Sequence, residues 1–168
     1  MPFIPAEIWT NKVVISIFTY SFLAWSAKGI YDGNVFSAYL FQLVGHRNLE
    51  VGIAAGVNGM VMVCMAPLVG WASDKYGRTI LLKIGSFFGF ISLGLLSYAI
   101  SRNSYEFVIL AQVAGGAFWS STSSTMDTLL ADCTDSGSRS RIYMIRLLLM
   151  QSASAVSVVI HLHLSDVS

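Results

Sequence analysis

The chain alternates long apolar runs with short polar turns. Residues 51–73, 84–101, 107–126 and 147–165 hold no Asp, Glu, Lys or Arg, giving uncharged runs of 23, 18, 20 and 19 residues. A bilayer core about 30 Å thick is crossed by about 20 helical residues. The match in length predicts membrane-spanning helices over about 51–73, 79–101, 106–130 and 142–164. The first apolar stretch is less regular. Residues 13–27 are apolar, Lys28 and Asp32 intervene, and an apolar run resumes over 34–44. One long tilted helix over 13–44 or two short helices meeting at Gly29–Gly33 would both fit. A single helix is preferred, because Lys28 and Asp32 are i,i+4 neighbours that neutralise one another. Half-spans of 15 and 11 residues would each be too short to cross.

The fold class expected is therefore an all-α membrane protein, a polytopic bundle of about five transmembrane helices forming a single domain over 1–168. The turns at 45–50, 74–78 and 102–105 are short enough to make successive helices antiparallel neighbours. The polar stretch 131–141, ADCTDSGSRSR, belongs in water.

Composition sharpens this reading. Hydrophobic residues make up 55% of the 168 and charged residues 11%, against about 25% charged in soluble domains. The net charge of +1, with no dense basic patch, excludes nucleic acid as a partner. Cys64 and Cys133 form neither a disulfide framework nor a metal spacing. His161 and His163 lie two apart, so a helix turns them about 200° away from each other. No metal site, nucleotide loop or nucleophile elbow is expected, nor any cofactor or enzymatic reaction.

Basic residues orient the chain. Lys12, Lys75, Arg78, Lys83, Arg139, Arg141 and Arg146 fall on one side, and Arg47 and Arg102 on the other. The positive-inside rule then puts the N-terminus in the cytoplasm. Trp9, Trp71, Tyr76, Tyr98, Tyr105 and Tyr143 stand at expected boundaries, as an interfacial belt requires. Gly52 and Gly56, and Gly85 and Gly89, are spaced for close helix packing, and Gly115–Gly116 precedes a hydroxyl run, Ser120–Thr125.

The most informative segment is Gly70-Trp-Ala-Ser-Asp74-Lys75-Tyr-Gly77-Arg78-Thr79, between two of these helices. It resembles the cytoplasmic loop motif of the major facilitator superfamily, G-x-x-x-D-[RK]-x-G-R-[RK], with Thr79 in place of the second base. Asp132 followed by Arg139-Ser-Arg141 is similar to that family's acid-then-Arg-Gly-Arg pattern, with Ser140 in the glycine's place. The two matches cover about 45–145. The resemblance implies secondary transport of a small solute by alternating access, with Gly70, Asp74, Lys75, Gly77, Arg78, Asp132, Arg139 and Arg141 forming a cytoplasmic gate. On physical grounds Gly77 allows a turn at positive φ, and Asp74 suits attraction by a helix N-terminus. Arg78 suits a forked pair with a carboxylate, Asp132 or Asp127.

Four further residues are candidates for a solute or proton site. Lys28 and Asp32 are ionisable groups within an apolar segment. Asn58 and Gln112 are amides that either line a polar pathway or bridge helices, the bridge being the simpler role. Gln112 stands where many proton-coupled members of that family carry an arginine, which argues against arginine-assisted coupling. The family fold has two six-helix halves, and about five spans correspond to most of the first. A fragment of a carrier is therefore expected, completed by a second half. The competing class is a truncated, non-transporting membrane protein or accessory subunit associated with a full-length carrier.

Overall fold

The structure is a computed structural model; it describes residues 11–31 and 34–165, with side-chain surroundings for 11–29 and 36–155. The described residues form six helices: α1 Lys12–Tyr31, α2 Asn34–Leu43, α3 Asn48–Tyr76, α4 Arg78–Arg102, α5 Tyr105–Asp132 and α6 Arg139–Ser165. No strand occurs among them. The expected spans at 51–73, 79–101, 106–130 and 142–164 fall inside α3, α4, α5 and α6. The expected helix over 13–44 is covered by α1 and α2; Asp32 and Gly33, between them, lie outside the described residues. The side chains of His161 and His163 also lie outside them.

Helices α3, α4 and α5 have 29, 25 and 28 residues, or about 44, 38 and 42 Å at 1.5 Å per residue. Each exceeds a 30 Å core, so its ends reach the interfaces. Among the described residues, two helices are long and apolar enough to cross a membrane by length and composition, α3 and α4, with mean hydropathies of 1.8 and 1.9. In α5 the hydroxyl run Ser120–Thr125 lowers the hydropathy.

The chain forms two compact units, one of residues 38–128 and the other of residues up to 37 together with 129 onward. In the unit of residues 38–128, burial runs opposite to that of a soluble protein. The polar side chains Ser120, Ser121, Thr122 and Thr125 of α5 are buried, while Phe87, Phe90, Met60 and Val63 of α4 and α3 are among the most exposed. Such an apolar exterior in water would drive aggregation; in lipid it is the expected solvent-facing surface.

Small residues make the core possible. A Cβ placed on Gly116 would lie 2.7 Å from the Asn58 carbonyl oxygen and 2.9 Å from Val61 Cβ. One on Gly89 would lie 3.0 Å from the Phe118 ring, and one on Gly85 3.1 Å from Ser121 Cβ and Thr122 Oγ1. So α5 meets α3 through Gly116 and α4 through Gly85 and Gly89. Hydroxyls tie the same seams, Ser120 Oγ donating to the Met62 carbonyl at 3.2 Å and Ser92 Oγ to the Ala111 carbonyl at 2.9 Å. By contrast, Gly52, Gly56, Gly59 and Gly70 of α3 have no described atom within 4 Å of a would-be Cβ. The two G-x-x-x-G pairs therefore differ: Gly85–Gly89 is packed, and Gly52–Gly56 meets no described residue.

In the other unit, α1 and α6 form a seam. Val14, Ile17, Phe18 and Ser21 of α1 are buried, as are Ile142, Arg146 and Ala153 of α6. The spacings of three, four and seven keep each set on one helical face. Asn11 caps α1, accepting from the Val13 N–H at 3.0 Å through Oδ1, and its Nδ2 donates to the Cys133 carbonyl at 3.4 Å.

Gly116→Ala should destabilise the protein by about 1–3 kcal/mol, because main-chain atoms of α3 must move. Gly52→Ala, where a Cβ meets no described atom, should not destabilise and gains up to about 1 kcal/mol from helix propensity. Thermal unfolding of the two variants in detergent checks the contrast.

Candidate functional site: the α3–α4 turn and the end of α5

The turn joining α3 to α4 is a single residue, Gly77, with φ +86° and ψ 150°. That combination is essentially restricted to glycine. Its N–H donates to the Ser73 carbonyl at 3.1 Å, closing the last turn of α3. The chain thus reverses without a loop, and Asp74 and Arg78 are held at facing ends of two helices.

Both charges sit on the wrong end of their own helix. Asp74 lies in the last turn of α3, where the dipole's negative end repels it, and Arg78 opens α4, where the positive end repels it. Helix stability does not account for either residue, so each must answer to something beyond its own helix. Arg78 reaches α5, donating from Nη1 to the Thr128 carbonyl at 3.0 Å. There, near a helix C-terminus, a cation has the right sign. Thr128 is next in sequence to Asp127, one of the two carboxylates expected for Arg78. Asp74 is exposed. Lys75 is held by aromatic faces, its Nζ 4.8 Å from the Trp71 ring centroid and 5.4 Å from that of Tyr76. Trp71 and Tyr76 are themselves edge-to-face at 6.0 Å. An ammonium over two exposed rings at a helix end suits the membrane interface.

Asp132, Arg139 and Arg141 belong to the other unit and are exposed. Arg139 closes the end of α5, donating from Nη2 to the Ala131 carbonyl at 2.8 Å and to that of Thr134 at 3.5 Å. Thr134 Oγ1 donates to the Leu130 carbonyl at 2.7 Å. These donors satisfy carbonyls that a helix terminus leaves without partners. Arg78 and Arg139, each within its own unit, thus donate to main-chain carbonyls, of Thr128 in the one and of Ala131 and Thr134 in the other.

The amides Asn58 and Gln112 are brought together, Asn58 Nδ2 donating to Gln112 Oε1 at 2.9 Å and to the Gln112 carbonyl at 3.1 Å. Lys28 Nζ stands 5.4 Å from the Trp25 ring centroid, and Asp32 lies outside the described residues. Sequence reasoning missed Arg146, counting it among the charges of a helix end. It is 8% exposed, and its Nε donates to the buried Ser21 Oγ at 3.1 Å, joining α6 to α1. The available signal was position. Seven residues past Arg139, Arg146 shares the buried face with Ile142 and Ala153.

The sequence profile of the Major Facilitator Superfamily matches residues 2–164. The chain belongs to the Major Facilitator Superfamily. As a member of that family it is a multi-pass membrane protein. Over 97 residues it is 32% identical to an uncharacterized MFS-type transporter, YddS, of Bacillus subtilis (strain 168). The aligned stretch covers 58% of this chain and 22% of that relative, so the chain spans only a fraction of the relative's length. No solved structure matches.

Gly77→Ala should cost about 1–3 kcal/mol through backbone strain alone, since a Cβ there meets nothing within 4 Å. Thermal unfolding checks this, and an unchanged midpoint would contradict the strained turn.

Proposed function

We propose that the chain is part of a secondary carrier that moves a small solute across a membrane by alternating access. The observation that carries this reading is the α3–α4 turn, whose Asp74 and Arg78 oppose their own helix dipoles and lie in the family's gate motif. Arg78 holds the cytoplasmic end of α5 through the Thr128 carbonyl. Asp74 is left to meet a helix N-terminus of the carrier's second half when the cytoplasmic side closes. Gating by such contacts works because each is strong enough to bias one conformation and weak enough to be remade each cycle. The family's second motif, Asp132, Arg139 and Arg141, lies in the other unit, where Arg139 fixes the end of α5.

The N-terminus is cytoplasmic in this reading, with Lys75, Arg78, Arg139 and Arg141 on the same side. The open glycine face of α3, Gly52, Gly56, Gly59 and Gly70, favours a further partner helix, because a helix can approach closely there. A second six-helix half of the same carrier is the preferred partner. The same face supports a second reading, a non-transporting subunit seated on a complete carrier. Neither reading involves covalent chemistry, which sets both apart from an enzyme.

In a carrier containing this chain, Asp74→Asn and Arg78→Gln should each lower initial uptake about tenfold or more at equal membrane abundance. Loss of one charge-assisted contact, about 1.5–3 kcal/mol, corresponds to that range. Radiolabelled uptake normalised to surface protein is the measurement, and parental rates in both variants would sink the gate.

A further inference from the structure

Where α3 meets the first third of α5, the side chains of Asn58 and Gln112 are oriented by a simple exclusion. The main-chain carbonyl of Gln112 can only accept, so the Asn58 atom 3.1 Å from it is the amide nitrogen. That nitrogen can only donate, so the Gln112 atom 2.9 Å from it is the oxygen Oε1. Both hydrogens of Asn58 Nδ2 are then used. Asn58 Oδ1 and Gln112 Nε2 are left over, an acceptor and a donor with no hydrogen-bond partner among the described residues. Both residues are half-buried rather than sealed in the core.

The pair is held firmly. Gly115 allows Asn58 its place, since a Cβ there would lie 3.2 Å from Asn58 Nδ2 and 3.2 Å from Ser92 Oγ. Gly116 brings the α3 main chain against α5. Gly115, Gly116, Ser92 and Val61, the residues around it, are all uncharged, and the pair sits within the uncharged runs 51–73 and 107–126. A bridge between α3 and α5 needs only the bonds already made. It does not need the second donor and acceptor to remain open.

The geometry points to a recognition site in which Gln112 Nε2 donates to, and Asn58 Oδ1 accepts from, an uncharged solute bearing hydroxyl or carboxamide groups. A charged solute group would enter low dielectric here without a counter-charge from these neighbours, which is costly. A hydroxyl or amide both accepts and donates and matches the two open atoms. This inference rests on the carrier reading for its purpose, and its test is independent of transport.

The 168-residue chain in lipid nanodiscs is titrated with sorbitol, glucose and nicotinamide as neutral probes, lactate as an anion and choline as a cation, with thermal stabilisation as the readout. At least one neutral probe should bind, and Gln112→Met should weaken it tenfold or more. Ser120→Ala removes a comparable α3–α5 bond, to the Met62 carbonyl, without touching the amides, and should leave binding within twofold. If Gln112→Met does not fold, Asn58→Leu removes the open acceptor and should give the same loss. Equal loss in Ser120→Ala, no loss in the amide variants, binding of lactate or choline alone, or binding of none of the probes would each overturn the site. Uptake that still depends on Asp74 would, in those cases, leave the carrier reading standing.

Discussion

Everything in residues 38–128 depends on how closely α5 approaches its two neighbours. A lipid tail is as apolar as a leucine side chain, so burying leucine between helices gains little in a bilayer. Association rests instead on contact area and on hydrogen bonds that lipid cannot replace. Gly116 supplies the first against α3 and Gly85 and Gly89 supply it against α4. Ser92, Ser120 and Asn58 supply the second. Many large apolar side chains, Met60, Val63, Phe87 and Phe90 among them, are turned outward, where they meet lipid at no cost. Of α3, α4 and α5, the least hydrophobic, α5, is consequently the most buried.

That inversion explains what could be read from the sequence. The uncharged runs at 51–73 and 84–101 mark α3 and α4 because lipid-facing helices must be apolar along their length. The uncharged run 107–126 marks α5 as well, but its hydropathy falls short of theirs, because its Ser120–Thr125 run is hidden from lipid by its neighbours. Spacing alone does not tell a packed glycine pair from an open one: Gly52–Gly56 and Gly85–Gly89 share one motif, and only the second meets a described partner. Residue type misled at Arg146, because a basic residue near a helix start reads as an interfacial anchor. Its burial follows from the α1–α6 seam, a long-range pairing invisible to local pattern.

The Gly70–Thr79 motif was legible for a different reason. Its glycine is needed for a backbone angle, and its charges are needed against the helix dipoles, so each residue type is restricted by local physics. The partners of those charges were less legible. The expectation for Arg78 named carboxylates, and the sequence did not point to the Thr128 carbonyl that its Nη1 also reaches. A helix C-terminus offers partial negative charge without any acidic side chain, and residue identity does not advertise it. The amide pair shows the reverse: Asn58 and Gln112 were separate suspects, and their contact makes them one unit.

The most direct test of the inverted core places nitroxide labels at positions 90 and 121 and measures collisions with oxygen, which enters lipid, and with a nickel chelate, which stays in water. With α4 facing lipid and α5 buried by small residues, position 90 should collide with oxygen and not with nickel, and position 121 with neither. Nickel reaching position 90, or both relaxants reaching position 121, would contradict the lipid-facing exterior and the close-packed α5 on which the account rests.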